Sequence, residues 1–319
     1  MSVPKRGRRV LMWVGIVLAT IGLLVAGVLA WLAASPAVPT DYTRTVATGG
    51  PIEARYLAQG PHKVSNRTVD AMQYFSPYRL WFPEDIMAMT GPLPVVLVAN
   101  GTGIKAAKYP AWFEHLASWG FIVIGTDDEY AWSGFSQGLG QRLLVRLHEG
   151  NVPSGWTDNP LSGKVDLGRV GVAGHSQGGA GVFNTLAQAN PGVTFKAAFA
   201  ASPANLELAK NLDWLYDPSK DSVPTLLVSS TGKADENLVT SLTQLRDIYG
   251  RIPATTDKAM LRRNDGDHGD MLYLADGYMT AWFVWHLQGD EGAKAAFAGT
   301  DPEIFHNSHY QDQETNLRR

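Results

Sequence analysis

The sequence has no cysteine, which excludes disulfide bonds, a thiol nucleophile and thiolate metal sites together. It also lacks an excess of either charge: 27 Lys and Arg stand against 30 Asp and Glu, a formal net charge of −3. The globular part therefore has no concentrated basic surface of the kind that phosphate backbones demand, and nucleic acid is excluded as a partner. Internal repeats and low-complexity tracts are missing too, so neither a solenoid nor a disordered chain is expected. What is present, 319 residues of which 45% are apolar and 18% charged, suffices to bury one large core.

Only the N-terminus carries a long apolar run. Lys5, Arg6, Arg8 and Arg9 precede uncharged residues from Val10 to Ala34, a stretch longer than the ~20 residues that cross a bilayer. Basic residues stay on the cytoplasmic side. The expected layout is a cytoplasmic tail at 1–9, a transmembrane signal anchor at 10–34, a linker at 35–50 stiffened by Pro36 and Pro39, and a catalytic domain at 51–319 on the extracytoplasmic side. The rival reading is a cleaved signal sequence and a secreted enzyme, since Leu32-Ala33-Ala34-Ser35 offers the small residues a signal peptidase accepts.

In the domain, Ile52–Leu57 alternates like a strand, and Tyr78–Pro83 reads as another. Short continuous apolar runs follow at 94–99, 121–126, 170–173, 195–200 and 225–229, then the strand-like Lys258–Leu261. Such runs mark strands buried on both faces. Helical patterns separate them at Tyr109–Trp119, 138–148, 180–189 and about 204–216, another begins near Leu238, and a long apolar helix is expected over Met271–Leu287. The alternation predicts an α/β fold, a mostly parallel doubly wound sheet flanked by helices, with ligands at the carboxyl ends of the strands.

At one such end stands Gly174-His175-Ser176-Gln177-Gly178-Gly179. Strand before and helix after give G-x-S-x-G the setting of a nucleophile elbow, whose glycines let backbone pass against backbone. A serine hydroxyl needs a base. His268, in the polar loop Arg263–Asp270, lies where α/β hydrolases carry theirs, late in the chain after nucleophile and acid. Asp265, Asp267 and Asp270 crowd it in sequence but, as loop neighbours, are not expected to orient its ring. His175 is read as a buried core residue, His286 as helix packing, and His306 and His309 as members of a polar tail. The acid belongs on the loop after the fifth strand, where Asp235 and Glu236 both qualify, and Asp235 is preferred. The backbone N–H groups of Gln177 and of Thr102, in Asn100-Gly101-Thr102-Gly103, are the candidate oxyanion donors. Asp127, Asp128 and Glu129 lack a histidine or further acid at ligand spacing, so no metal and no cofactor is expected. Tyr130 and Trp132 are candidate pocket walls.

These segments, with Pro94–Gly101, Trp119–Ile124, Val223–Leu227 and Asp267-His268-Gly269, resemble the α/β-hydrolase superfamily. Within it they look most like the dienelactone-hydrolase-like and bacterial cutinase or polyester-hydrolase-like esterases, over residues 90–290. The resemblance implies a Ser176–His268–Asp235 triad with Thr102 and Gln177 as oxyanion donors. The chain departs from the cutinase-like pattern at Thr102, where an aromatic residue is usual, at Ala201–Asn205, where a tryptophan is replaced by alanine, and in having no cysteine for a C-terminal disulfide. The expected activity is hydrolysis of small or lipid-like carboxylic esters through an acyl-enzyme, rather than of a polymer. An acyltransferase with the same triad and a non-catalytic, membrane-anchored binding protein are the alternatives.

Overall fold

Buried apolar runs in the middle of the chain become strands because each is covered on both faces. Leu93–Ala99 and Ile122–Thr126 are buried along their whole lengths. The computed structural model describes residues 35–70 and 75–317; the segment expected to span a membrane, 10–34, lies outside the described residues. Among the described residues no helix is long and apolar enough to cross a membrane.

The unit Val38–Arg319 is built on one nine-stranded mixed sheet in the order β1-β2-β4-β3-β5-β6-β7-β8-β9. Its strands are β1 Val64–Val69, β2 Tyr78–Pro83, β3 Leu93–Ala99, β4 Ile122–Thr126, β5 Val165–His175, β6 Phe195–Ala201, β7 Thr225–Ser230, β8 Lys258–Arg263 and β9 Tyr310–Thr315. The strands from β3 to β8 run parallel to one another. β1, β2 and β9 pair antiparallel at the margins. Helices flank the sheet, and one apolar cluster joins Leu97, Ile124, Val172 and Met260 of the strands to Leu143, Phe183 and Leu245 of the helices.

The chain leaves β3 for β4 on one side and then crosses to β5 on the other. The crevice where strand order reverses, between the carboxyl ends of β3 and β5, is where ligands sit in open α/β sheets. Ala99 pairs with Gly174 there, so the loop opening at Asn100 and the elbow at Ser176 leave the sheet side by side.

Three expectations are corrected. Residues 52–57 are helical rather than extended, within Pro51–Leu57. Pro51 starts the turn with its φ already suitable, and the Glu303 carboxylate accepts from the Ile52 and Glu53 N–H groups, at 2.7 and 2.8 Å. The expected helix over 271–287 is broken into Met271–Leu274, Asp276–Phe283 and a wider turn at Val284–Gln288. The polar C-terminal tail is not wholly solvated, because Tyr310–Thr315 adds a strand beside β8.

The β8 end is tied to the helix Pro51–Leu57 by a buried ion pair, Arg263 Nη1 to Glu53 Oε1 at 3.2 Å, with both side chains 1% exposed. Arg263 also donates to the Ala47 carbonyl, and Glu53 accepts from the Gly49 N–H and the Asn307 amide. Removing one member of such a pair leaves an uncompensated buried charge. Arg263→Ala is therefore expected to lower the unfolding free energy by about 3–5 kcal/mol, measured by urea denaturation; a loss below about 1 kcal/mol would contradict the account.

Candidate active site

The elbow is shaped by close backbone approach. A Cβ on Gly174 would lie 2.1 Å from the Gly178 carbonyl oxygen, and one on Gly178 would lie 2.0 Å from that of Ala99. Side chains at either point would push apart the strand, the helix Gln177–Ala187 and the loop after β3. Ser176 itself has φ 59° and ψ −121°, a strained conformation for a non-glycine residue. Its N–H donates to the Ala201 carbonyl, and its own carbonyl accepts from Gly179 and Ala204, which hold the strained residue in place.

Ser176, His268 and Asp235 are brought together. Ser176 Oγ lies 2.9 Å from His268 Nε2, and His268 Nδ1 lies 2.8 Å from Asp235 Oδ1. An ionised carboxylate only accepts, so Nδ1 carries a proton and donates to Asp235, and in the neutral form of the ring Nε2 is the atom that accepts from the serine hydroxyl. The His268 side chain is 20% exposed and that of Asp235 fully buried. The second carboxylate oxygen accepts from Ser202 Oγ at 2.6 Å, Ser230 Oγ at 2.7 Å and the Ser230 N–H at 2.8 Å. Burial pushes the Asp235 pKa up, but the hydrogen bonds from His268 and Ser202, the His268 charge and the Ser230 amide outweigh it and hold it below the usual carboxylate value.

Glu236, the alternative acid, is engaged elsewhere: it pairs with the buried guanidinium of Arg262. Arg262 also donates to the Ser230 carbonyl at 3.0 Å, so the same cation secures the strand end that supplies two donors to Asp235. Asp235 does not begin a solvated helix; it opens a wide turn, Asp235–Val239, and the next helix is Leu242–Arg251.

The loop after β3 is fixed by Asn100, whose amide donates to the Thr126 and Asp128 carbonyls. The Gly101 N–H is taken by the Tyr109 hydroxyl. Among the described residues neither the Thr102 nor the Gln177 N–H donates a hydrogen bond, so both remain open to an acceptor. The carboxylates after β4 serve the protein itself: Asp127 takes a bidentate contact from Arg79, Asp128 accepts from Ser136, and Glu129 faces Lys105 at 3.6 Å. Tyr130 is exposed and Trp132 half-buried beside them.

His286 is packed against Trp282 and Trp285. His306 and His309 pair with Asp301 and Asp265. His175 is 7% exposed, and burial, then the neighbouring His268, push its pKa down to about 3. Asp267 accepts from the N–H groups of His268 and Ala234, locking the His268 loop to the Asp235 loop.

Sequence reasoning missed the residues that support Asp235. Ser202, at φ 41°, and Ser230 carry no motif. Asn205 ties β6 to the turn Asp235–Val239 through the Leu238 and Val239 carbonyls while capping its own helix. Gln177 was identified for its N–H alone, yet its buried side chain also accepts from the Ala131 N–H at 3.1 Å.

A family model described as PET hydrolase-like matches residues 43–314. Bis(hydroxyethyl) terephthalate hydrolase of Streptomyces coelicolor is 29% identical over 254 residues, 78% of this chain and 73% of that protein. Cutinase 1 of Thermobifida cellulosilytica is 27% identical over 215 residues, 66% of this chain and 73% of the cutinase. Cutinase est1 of Thermobifida alba is 27% identical over 226 residues, 68% and 66% of the two chains.

A carboxylate whose pKa is depressed on folding contributes stability that is present above its unfolded value, about 3.9, and is lost as pH falls through the lower folded value. Ser202→Ala removes one donor from Asp235, so its titration, followed by carboxyl 13C shift, is expected to move upward. Acid unfolding of the variant should then begin at higher pH than in wild type. An unmoved Asp235 midpoint would contradict this.

Proposed function

The chain belongs to the PET hydrolase-like family, and from that premise we propose that it is a serine hydrolase cleaving carboxylic esters through an acyl-enzyme on Ser176. The observation that carries the reading is the unbroken relay from Ser176 Oγ through His268 to buried Asp235. In this mechanism His268 Nε2 takes the serine proton as Oγ attacks the ester carbonyl, and the Asp235 carboxylate stabilises the imidazolium that forms. The N–H groups of Thr102 and Gln177 receive the oxyanion. His268 returns its proton to the leaving alcohol, and a water activated by the same base then releases the acid and frees Ser176.

Small esters suit the site better than a polymer. Thr102 and an alanine of the segment Ala201–Asn205 stand where the cutinase-like pattern has aromatic residues, so a flat clamp for a long chain is missing there. The relative named for bis(hydroxyethyl) terephthalate supports a compact diester as a test substrate. The fold assigned is that of the α/β hydrolases, with the catalytic domain spanning 51–319. Residues 10–34, on their sequence, are assigned as a signal anchor that holds this domain outside the membrane, after a cytoplasmic tail at 1–9 and before the linker at 35–50. A mature N-terminus found near Ser35 would replace the anchor by a cleaved signal.

Wild type is expected to react covalently with a fluorophosphonate probe and Ser176→Ala to lose both labelling and ester hydrolysis; labelling that persists in Ser176→Ala would sink the assignment. Asp235→Asn, which disturbs the His268 tautomer, should lower kcat by roughly 10³- to 10⁴-fold, while Glu236→Gln leaves it within about threefold. The reverse ranking would move the acid to Glu236.

A further inference from the structure

We propose that His175 is a positioning residue for the base, gripping the His268 backbone and backing its ring so that Nε2 stays on Ser176. The proposal rests on the triad reading above. His175 Nε2 lies 2.8 Å from the His268 carbonyl oxygen. A carbonyl only accepts, so His175 is the Nε2–H tautomer and donates. The two imidazoles also pack on one another, with ring centroids 4.5 Å apart and planes inclined by 35°. One side chain thus restrains the base at two points, its main chain and its ring.

The geometry gives this restraint unusual leverage. His175 is the last residue of β5 and is bonded directly to Ser176. The strand end that aims the nucleophile therefore carries the clamp on the base as well, and the spacing between Oγ and Nε2 is set within one short rigid piece. The third side of the ring meets the oxyanion loop: a Cβ on Gly101 would lie 3.2 Å from His175 Nδ1. His175 accordingly sits wedged between the loops that carry base and oxyanion donor, and at 7% exposure it offers substrate little surface.

Burial keeps His175 neutral across the working range, so it adds no positive charge to oppose the imidazolium formed on His268. A neutral donor that is also a flat ring meets both demands. Phenylalanine keeps the stack without the donor, and glutamine places an amide N–H near Nε2 without the stack.

The test uses the full chain with p-nitrophenyl butyrate and a fluorophosphonate probe. Loss of one well-formed hydrogen bond predicts that His175→Phe lowers kcat about tenfold, leaves KM within about twofold and slows Ser176 labelling by the same factor as kcat. His175→Gln should recover kcat to within about threefold of wild type. Should His175→Phe not fold, His175→Leu, equally without a donor, takes its place. A donor-less variant with kcat within twofold of wild type, a loss confined to KM, or a His175→Gln as impaired as His175→Phe would overturn the proposal. A wild type that does not label at Ser176 would instead overturn the triad reading itself, and this proposal with it.

Discussion

A carboxylate with no solvent contact must be satisfied by donors around it, or burial costs several kcal/mol. Asp235 is such a group, and the architecture around the site follows from meeting that demand. Ser202 arrives from the end of β6, Ser230 from β7, and His268 from the loop after β8. Arg262 of β8 then anchors the Ser230 carbonyl and draws Glu236 away from the cluster. Neighbouring parallel strands thus end at one charge, and the imidazole is oriented because it is one of the donors that charge needs.

Ser176 is held by a different constraint, steric rather than electrostatic. Gly174 and Gly178 let the elbow press against the Ala99 carbonyl, so the helix Gln177–Ala187 starts beside the loop that carries Thr102. The strained backbone of Ser176 is retained because hydrogen bonds to Ala201, Gly179 and Ala204 surround it. His175 links the two systems, joined covalently to Ser176 and hydrogen-bonded to the His268 carbonyl.

Much of this was legible in the sequence, for identifiable reasons. Continuous apolar runs flanked by turn residues can be little else than buried strands, and the five runs between 94 and 229 fall on β3 to β7, the second starting one residue ahead of β4. Ser176 and His268 stood out because their chemistry needs a particular local context and chain order. Sequence preferred Asp235 but left Glu236 open, since both sit on one loop; in the fold Asp235 meets the His268 ring, whereas Glu236 pairs with Arg262, distant along the chain. Ile52–Leu57 misled because its alternation suits a strand, whereas Glu303, far away in the chain, caps it as a helix. Ser202 and Ser230 were invisible for the same reason: a serine that donates to a buried acid looks like any other until strand order brings the two together.

The central claim is that Ser176 and His268 act as one unit oriented by Asp235. It is tested most directly by a double-mutant cycle on kcat/KM for a soluble ester, with Ser176→Ala, His268→Ala and the pair combined. Groups that serve a single proton transfer lose nearly all their effect when either is removed, so the double variant is predicted to be no slower than the worse single one. Losses that multiply would contradict the account, because they would mean that the two residues act independently.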